Sequence, residues 1–148
     1  MPGTSMLTLA IIKPDALRAG HAGKILAHLE AAGFAIRAAR LLKLSAAQAE
    51  AFYEVHRERP FYGSLVTFMT SGPALALALE RADAVAQLRQ VIGATDPAEA
   101  QPGTVRKLYA ESKERNAIHA SDSAENAARE VAFFFPESEL RQLWGKRP

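Results

Sequence analysis

Apolar residues alternate along Leu7-Thr-Leu-Ala-Ile-Ile12 and then run together, the pattern of a central strand. Lys13-Pro14-Asp15 ends it, because proline cannot donate to a ladder and restricts the residue before it. Gly23 to Ala32 places Ile25, Leu26 and Leu29 on one helical face, and Gly33 falls where a left-handed C-terminal cap belongs. Phe34 to Leu44 is strand-like and broken by basic residues, as on a half-exposed strand. Ser45-Ala-Ala-Gln48 fits a capping box that opens a helix running through His56. Leu65, Phe68 and Met69 stand at i, i+3 and i+4 and predict a short helix after Pro60. Ala74 to Leu79 alternates Ala and Leu. Its composition suits helix or strand, and its length and the preceding Gly72-Pro73 favour strand.

Further on, Val85, Leu88 and Ile92 share one face of a helix over Asp83 to Ile92. Gly93 to Gly103 reads as a long Gly/Pro-rich loop, long enough to suggest function. Ala117 to Ala120 is a short strand candidate, and Asp122 to Glu125 fits a capping box for a last helix ending near Phe134. Pro136 begins a tail. Helices thus alternate with about four strands. The fold class expected is α/β (α+β): a ferredoxin-like split βαβ sandwich, with a four-stranded antiparallel sheet covered by helices.

Composition adds bounds. The chain has 148 residues, 49% hydrophobic and 23% charged, which suits one globular domain over 1–148, with a core at about 7–135 and a C-terminal tail over 136–148. It has no cysteine, so disulfides, thiolate metal sites and cysteine nucleophiles are excluded. The N-terminal residues lack a basic region, and the apolar run Leu7 to Ile12 is too short for a signal segment or a membrane span. The expected location is the cytoplasm, with no membrane partner. Net charge is +2 with a pI of about 9.1. The charges are interleaved, which favours a solvated mixed surface over a nucleic-acid footprint.

The strongest local signal is Arg115-Asn-Ala-Ile-His119-Ala-Ser121-Asp122-Ser123. A histidine on a short strand is followed by small polar residues and a helix start, where unsatisfied N–H groups welcome an anion. A neutral imidazole is a competent nucleophile near pH 7, more so when a carboxylate orients its other nitrogen. Glu130 could return to His119 from the last helix, and Glu125 competes for that role. On this segment alone a structural histidine is the commoner outcome. His21, His28 and His56 read as solvated structural residues, and no metal-binding histidine spacing occurs. P-loop and dinucleotide-binding glycine patterns are absent. Arg89, Thr95 and Arg106 flank or lie in the Gly/Pro loop and could clamp phosphates, though each taken singly is more often a surface residue. Arg59-Pro60-Phe61-Tyr62 places two aromatics after a proline; an exposed ring there could stack on a base, and a core aromatic is the commoner outcome from pattern alone.

Taken in order, Ile12-Lys13-Pro14-Asp15, Arg57-Glu58-Arg59-Pro60-Phe61, Ser71-Gly72-Pro73, Gly93-Ala-Thr95-Asp96-Pro97, Pro102-Gly103-Thr104-Val105-Arg106 and Asn116-Ala-Ile-His119-Ala-Ser121-Asp122-Ser123 resemble the nucleoside diphosphate kinase family from about Leu7 to Phe135. The resemblance implies ping-pong transfer of a γ-phosphoryl group from ATP or another nucleoside triphosphate to a nucleoside diphosphate. Base and sugar specificity would be broad, and Mg²⁺ would travel on the nucleotide phosphates rather than in a protein cage. It implies a homo-oligomer, hexamer or tetramer, in which Leu140, Leu143 and Trp144 of the tail could make contacts. By matching position, His119 would carry the phosphoryl group on Nδ1, Glu130 would orient it, and Ser121 would stand beside that pair. Lys13 and Asn116 would meet the ribose hydroxyls and nearby phosphate oxygens, with Tyr53 packed beside them. Arg89, Thr95 and Arg106 would clamp phosphates, and Phe61 would lie under the base.

The chain departs from the family pattern at several places. Ala120 stands where glycine is usual, which matters only if the backbone there needs positive φ. Lys107-Leu108-Tyr109 replaces Ala-Asp-Phe, and Lys113 stands where an aliphatic residue usually covers the base. Arg81-Ala82-Asp83 replaces Gly-Glu-Asn. A competing role as a single-stranded nucleic-acid module would need aromatics alternating on neighbouring central strands.

Overall fold

The computed structural model describes residues 6–145. Four strands, β1 (Leu7–Ile12), β2 (Ala35–Leu42), β3 (Ala74–Glu80) and β4 (Ile118–Ala120), form one sheet in the order β2-β3-β1-β4, every neighbouring pair antiparallel. This is the ferredoxin-like arrangement. Among the described residues eight α-helices complete it: α1 (Pro14–Arg18), α2 (Ala22–Ala31), α3 (Ala46–Phe52), α4 (Tyr62–Met69), α5 (Ala84–Ile92), α6 (Val105–Tyr109), α7 (Ala124–Phe134) and α8 (Glu137–Trp144).

Side chains alternate across each strand, so the sheet buries two separate cores. Leu9 and Ile11 face α3, α4 and α7 with Phe52, Met69 and Phe134. Ala10 and Ile12 face α2 and α5 with Ile25, Leu29, Leu88 and Ile92. Both faces of β1 and β3 are covered, which is why these strands read as nearly continuous apolar runs. Neither carries an aromatic residue, so the platform that a single-strand-binding sheet requires is not built.

Several expectations are adjusted. The capping box at Ser45 is present, but its helix stops at Phe52 and a 3₁₀ turn over Glu54–His56 follows. Two five-residue helices, α1 and α6, were not legible, because each is barely one turn longer than its own cap. The last long helix is capped by Ser123, whose hydroxyl accepts the Asn126 N–H. Asp122 instead accepts from the Asn126 side chain. The segment after Pro136 forms α8. It buries Leu140, joins β2 through Arg40–Glu139, and places the Trp144 indole N–H on the Arg37 carbonyl. That carbonyl lies at the β2 bulge between Ile36 and Ala38, on the sheet's edge strand.

Candidate active site

His119 sits in the middle of β4, opposite Ile11 of the central strand. Ile118 and Ala120 point into the α5 core, so period-two alternation sends the imidazole to the other face. There its ring meets Phe52 edge-on at 5.4 Å and Tyr53 edge-on at 6.1 Å. It lines an open cleft of about 990 Å³ shared with Lys13, Tyr53, His56, Phe61, Arg89, Thr95, Arg106, Asn116 and Glu130.

His119 Nε2 lies 2.7 Å from Glu130 Oε1, and the Ser121 hydroxyl donates to the same oxygen at 2.7 Å. Burial opposes the charge on Glu130, but the bonds from His119 and Ser121 and the nearby Arg129 outweigh it. Its carboxyl therefore lies below the usual range. An ionised carboxylate only accepts, so Nε2 carries a hydrogen toward it, and in the neutral ring the lone pair is on Nδ1. No protein group bonds Nδ1 among the described residues. Glu130 reaches the pair because Ala127, Glu130, Val131 and Phe134 form the buried face of α7, and Glu125 lies off that face, exposed in the first turn.

The approach to β4 is a tight turn. The Ile118 N–H donates to the Asn116 carbonyl at 2.9 Å, and Ala117 between them has φ +75°. This three-residue turn is strained for any residue with a Cβ, at a cost on the order of 1–3 kcal/mol, and needs support from its surroundings. Arg106 supplies part of it. Its guanidinium donates to the carbonyls of Asn116 (3.4 Å), Ile118 (2.8 Å) and Gly93 (3.0 Å). Three of five donors are thus committed to backbone, and two remain for the cleft. Arg106 is buried, and burial and the Arg89 charge lower its pKa to about 10, which still leaves it cationic at neutral pH.

Lys13 is almost wholly buried, and its ammonium donates to Asn116 Oδ1 at 2.9 Å. Asn116 Nδ2 in turn donates to the Thr95 carbonyl, tying the long loop to the turn. Arg89 and Thr95 are exposed at the cleft, with Arg89 reaching the Ala120 carbonyl at 3.5 Å. Phe61 stands 46% exposed at the rim, before α4. Tyr53 is buried with its hydroxyl unpartnered among the described residues. Burial, then the Glu130 charge, push its pKa well up, so it stays protonated. The cleft thus brings together every candidate named from the sequence except Ser121, which is fully buried behind Glu130.

His56, read from sequence as solvated and structural, also lines the cleft, near the rings of Tyr53 and Phe61. The signal that could have found it is its i+3 spacing from Tyr53. Lys113 and Asp122 are further lining residues.

A profile of the nucleoside diphosphate kinase family matches residues 7–140. The chain belongs to the nucleoside diphosphate kinase family. A protein named nucleoside diphosphate kinase from Chlorobium chlorochromatii is 56% identical over 133 residues, covering 90% of this chain and 95% of that one. Another, from Phenylobacterium zucineum, is 56% identical with coverage of 90% and 96%. The fold matches the Aquifex aeolicus nucleoside diphosphate kinase with a TM-score of 0.89 at 45% identity, over 92% of this chain and 98% of that chain. The Encephalitozoon cuniculi enzyme matches at 0.84 and 33% identity, over 87% and 88%.

Against that family, Ala120 is the departure next to His119, and the geometry accounts for it. Among the described residues only Asp83 and Ala117 are non-glycine residues with positive φ, so Ala120 needs no left-handed backbone. Its methyl packs into the α5 core, away from the imidazole. Ala120→Gly is therefore expected to cost about 1–2 kcal/mol of stability through strand entropy and a lost buried methyl, while kcat stays within about twofold. Denaturant unfolding beside steady-state kinetics checks both halves.

Proposed function

We propose that the chain transfers the γ-phosphoryl group of ATP or another nucleoside triphosphate to nucleoside diphosphates through a phosphorylated His119. The observation that carries this reading is the imidazole itself. Nε2–H is held by Glu130, while the Nδ1 lone pair is left open on a cleft lined by Lys13, Arg89 and Arg106. In the first half-reaction Nδ1 forms a bond to the γ-phosphorus as the bond to the β–γ bridging oxygen breaks, and the diphosphate leaves. No proton need move at Nδ1, and Glu130 stabilises the positive charge that spreads to Nε2. In the second half a terminal oxygen of another diphosphate attacks the same phosphorus from the opposite side, and Nδ1 leaves.

The transition state is loose and gathers charge on the γ-oxygens, so positioned cations do most of the work. Arg106, Arg89 and Thr95 clamp phosphate oxygens in this reading. Lys13 and Asn116 bind ribose hydroxyls and the nearest phosphate, and Tyr53 packs beside them. Ser121 fixes Glu130. Phe61 supports the base on one face only, which reads no hydrogen-bonding edge and admits any base; the Lys113 stem covers the other side. Mg²⁺ neutralises phosphate charge when bound. The ion would arrive on the phosphates, with Asp122 the nearby carboxylate of the cleft.

One domain over 1–148 and a cytoplasmic location complete the proposal; among the described residues no helix is long and apolar enough to cross a membrane. A homo-oligomer, hexamer or tetramer, is supported by Leu41 exposed on the edge strand and by Leu143 and Trp144 half exposed on α8.

Incubation with γ-labelled ATP is expected to place one acid-labile, base-stable phosphate on the protein, and GDP or CDP is expected to discharge it. A protein that takes no label, or whose label ignores added diphosphate, would sink the proposal.

Lys13 gives the site a pH signature. Burial, then the Arg106 charge, lower its pKa from about 10.5 to about 8, with Asp15 opposing. A bound phosphate favours the ammonium, so nucleotide binding takes up a proton. Affinity is full below about pH 8 and falls above it, approaching about tenfold per pH unit. The apo protein moves the other way. Its native state holds fewer protons than the unfolded state between about 8 and 10.5, so this group makes stability rise with pH across that window. Titration of Kd by calorimetry checks the first trend, and Lys13→Met is expected to flatten it.

A further inference from the structure

Asp15 lies on α1, is 4% exposed, and does not line the cleft. A carboxylate so buried is costly unless it is hydrogen-bonded or paired. Its Oδ2 accepts the backbone N–H of Ala117 at 3.0 Å, across 102 residues of sequence, and Oδ1 has no partner among the described residues. The Lys13 N–H donates to the Ala117 carbonyl at 2.8 Å, so the segment 13–15 grips both ends of one residue. That residue is the strained one, at φ +75°. Asn116 stands immediately before it, and His119 two residues after.

We propose that Asp15 is a positioning residue: its carboxylate locks the Ala117 turn and thereby sets Asn116 and His119 in register with each other. The logic is one of opposed anchors. Arg106 holds the carbonyls of Asn116 and Ile118 from one side. Asp15 holds the amide between them from the other. Without an acceptor the Ala117 amide is buried and unsatisfied, and the peptide rotates to relieve φ. Rotation there moves the side chain of Asn116 and the start of β4 together. Asp15 does not line the cleft, so its effect reaches the chemistry only through backbone.

The inference rests on the phosphohistidine reading of His119. Its test compares Asp15→Ala, Asp15→Asn and Asp15→Ala/Ala117→Gly by the single-turnover rate of protein phosphorylation from γ-labelled ATP, with circular dichroism on each. Asp15→Ala is expected to slow phosphorylation by about 10–100-fold, as a displacement of around an ångström does. Asp15→Asn keeps an oxygen acceptor and is expected to stay within about fivefold of wild type. The added Ala117→Gly is expected to recover at least about half of the logarithmic loss, because glycine adopts positive φ unaided. A purely structural acid would give no such compensation. A folded Asp15→Ala protein phosphorylated at the wild-type rate overturns the inference, and so does a double variant slower than Asp15→Ala. If neither Asp15→Ala nor the double variant folds, Asp15 serves folding and the inference is likewise overturned. If wild type takes no label, the reading of His119 fails instead.

Discussion

His119→Ala is expected to abolish incorporation of label from γ-labelled ATP, with exchange between ATP and a deoxynucleoside diphosphate reduced by at least about 10⁴-fold. The reason is that the cleft holds no substitute. Ser121 is fully buried, and its hydroxyl is committed to Glu130. Tyr53 keeps its proton and its hydroxyl is buried. His56 is the other imidazole of the cleft, but no carboxylate bonds its ring among the described residues, and burial and Arg59 lower its pKa without orienting it. The variant should fold. His119 is partly exposed, and the strand register rests on backbone bonds to Ile11 and on the neighbours that face the α5 core. Label retained at the wild-type rate would assign the nucleophile elsewhere.

Arg106→Ala has the second largest expected effect, and it is double. Truncation leaves the carbonyls of Gly93, Asn116 and Ile118 short of a donor and releases the strained turn. A loss of roughly 2–4 kcal/mol follows, with a thermal midpoint lower by about 10 °C. Activity is expected to fall further than stability predicts, by about 10²–10³-fold, because the proposed phosphate clamp also loses a cation. Arg106→Lys separates the two effects. It returns a charge but not a fork of donors, so stability should stay low while part of the rate returns. Calorimetry beside kcat on the same samples reads both. An Arg106→Ala protein with a wild-type melting curve would deny the structural half.

How much of this was legible follows from which physics writes itself into sequence. Burial does. The apolar end of β1 marks a central strand, and β3, ambiguous by composition, is placed as strand by its length and the Gly72-Pro73 before it; the sheet forms at both. Ser45 and Gln48 announced their cap because both partners are local. Glu130 could have been chosen over Glu125 by the same means, since it shares a helical face with Ala127, Val131 and Phe134. What stayed hidden is what long-range backbone contacts impose. Nothing about Ala117 suggests a left-handed turn, because alanine adopts it only under duress from Asp15 and Arg106. The helix α6 follows the Gly/Pro loop and has only five residues, too few to show a periodic face, and the Pro136 segment reads as a tail because its helix is stabilised by β2, not by itself. His56 taken singly is a histidine beside charges and reads as solvated; only its i+3 spacing from Tyr53 marks it for the cleft.

The three residues of β4 separate two properties that usually move together. Ile118 and Ala120 pack into the α5 layer, while His119 between them faces the cleft. Changes of volume at the outer two positions are therefore expected to be read in stability, and a change at the middle one in phosphoryl transfer, so that one three-residue strand lets a single substitution probe either property alone.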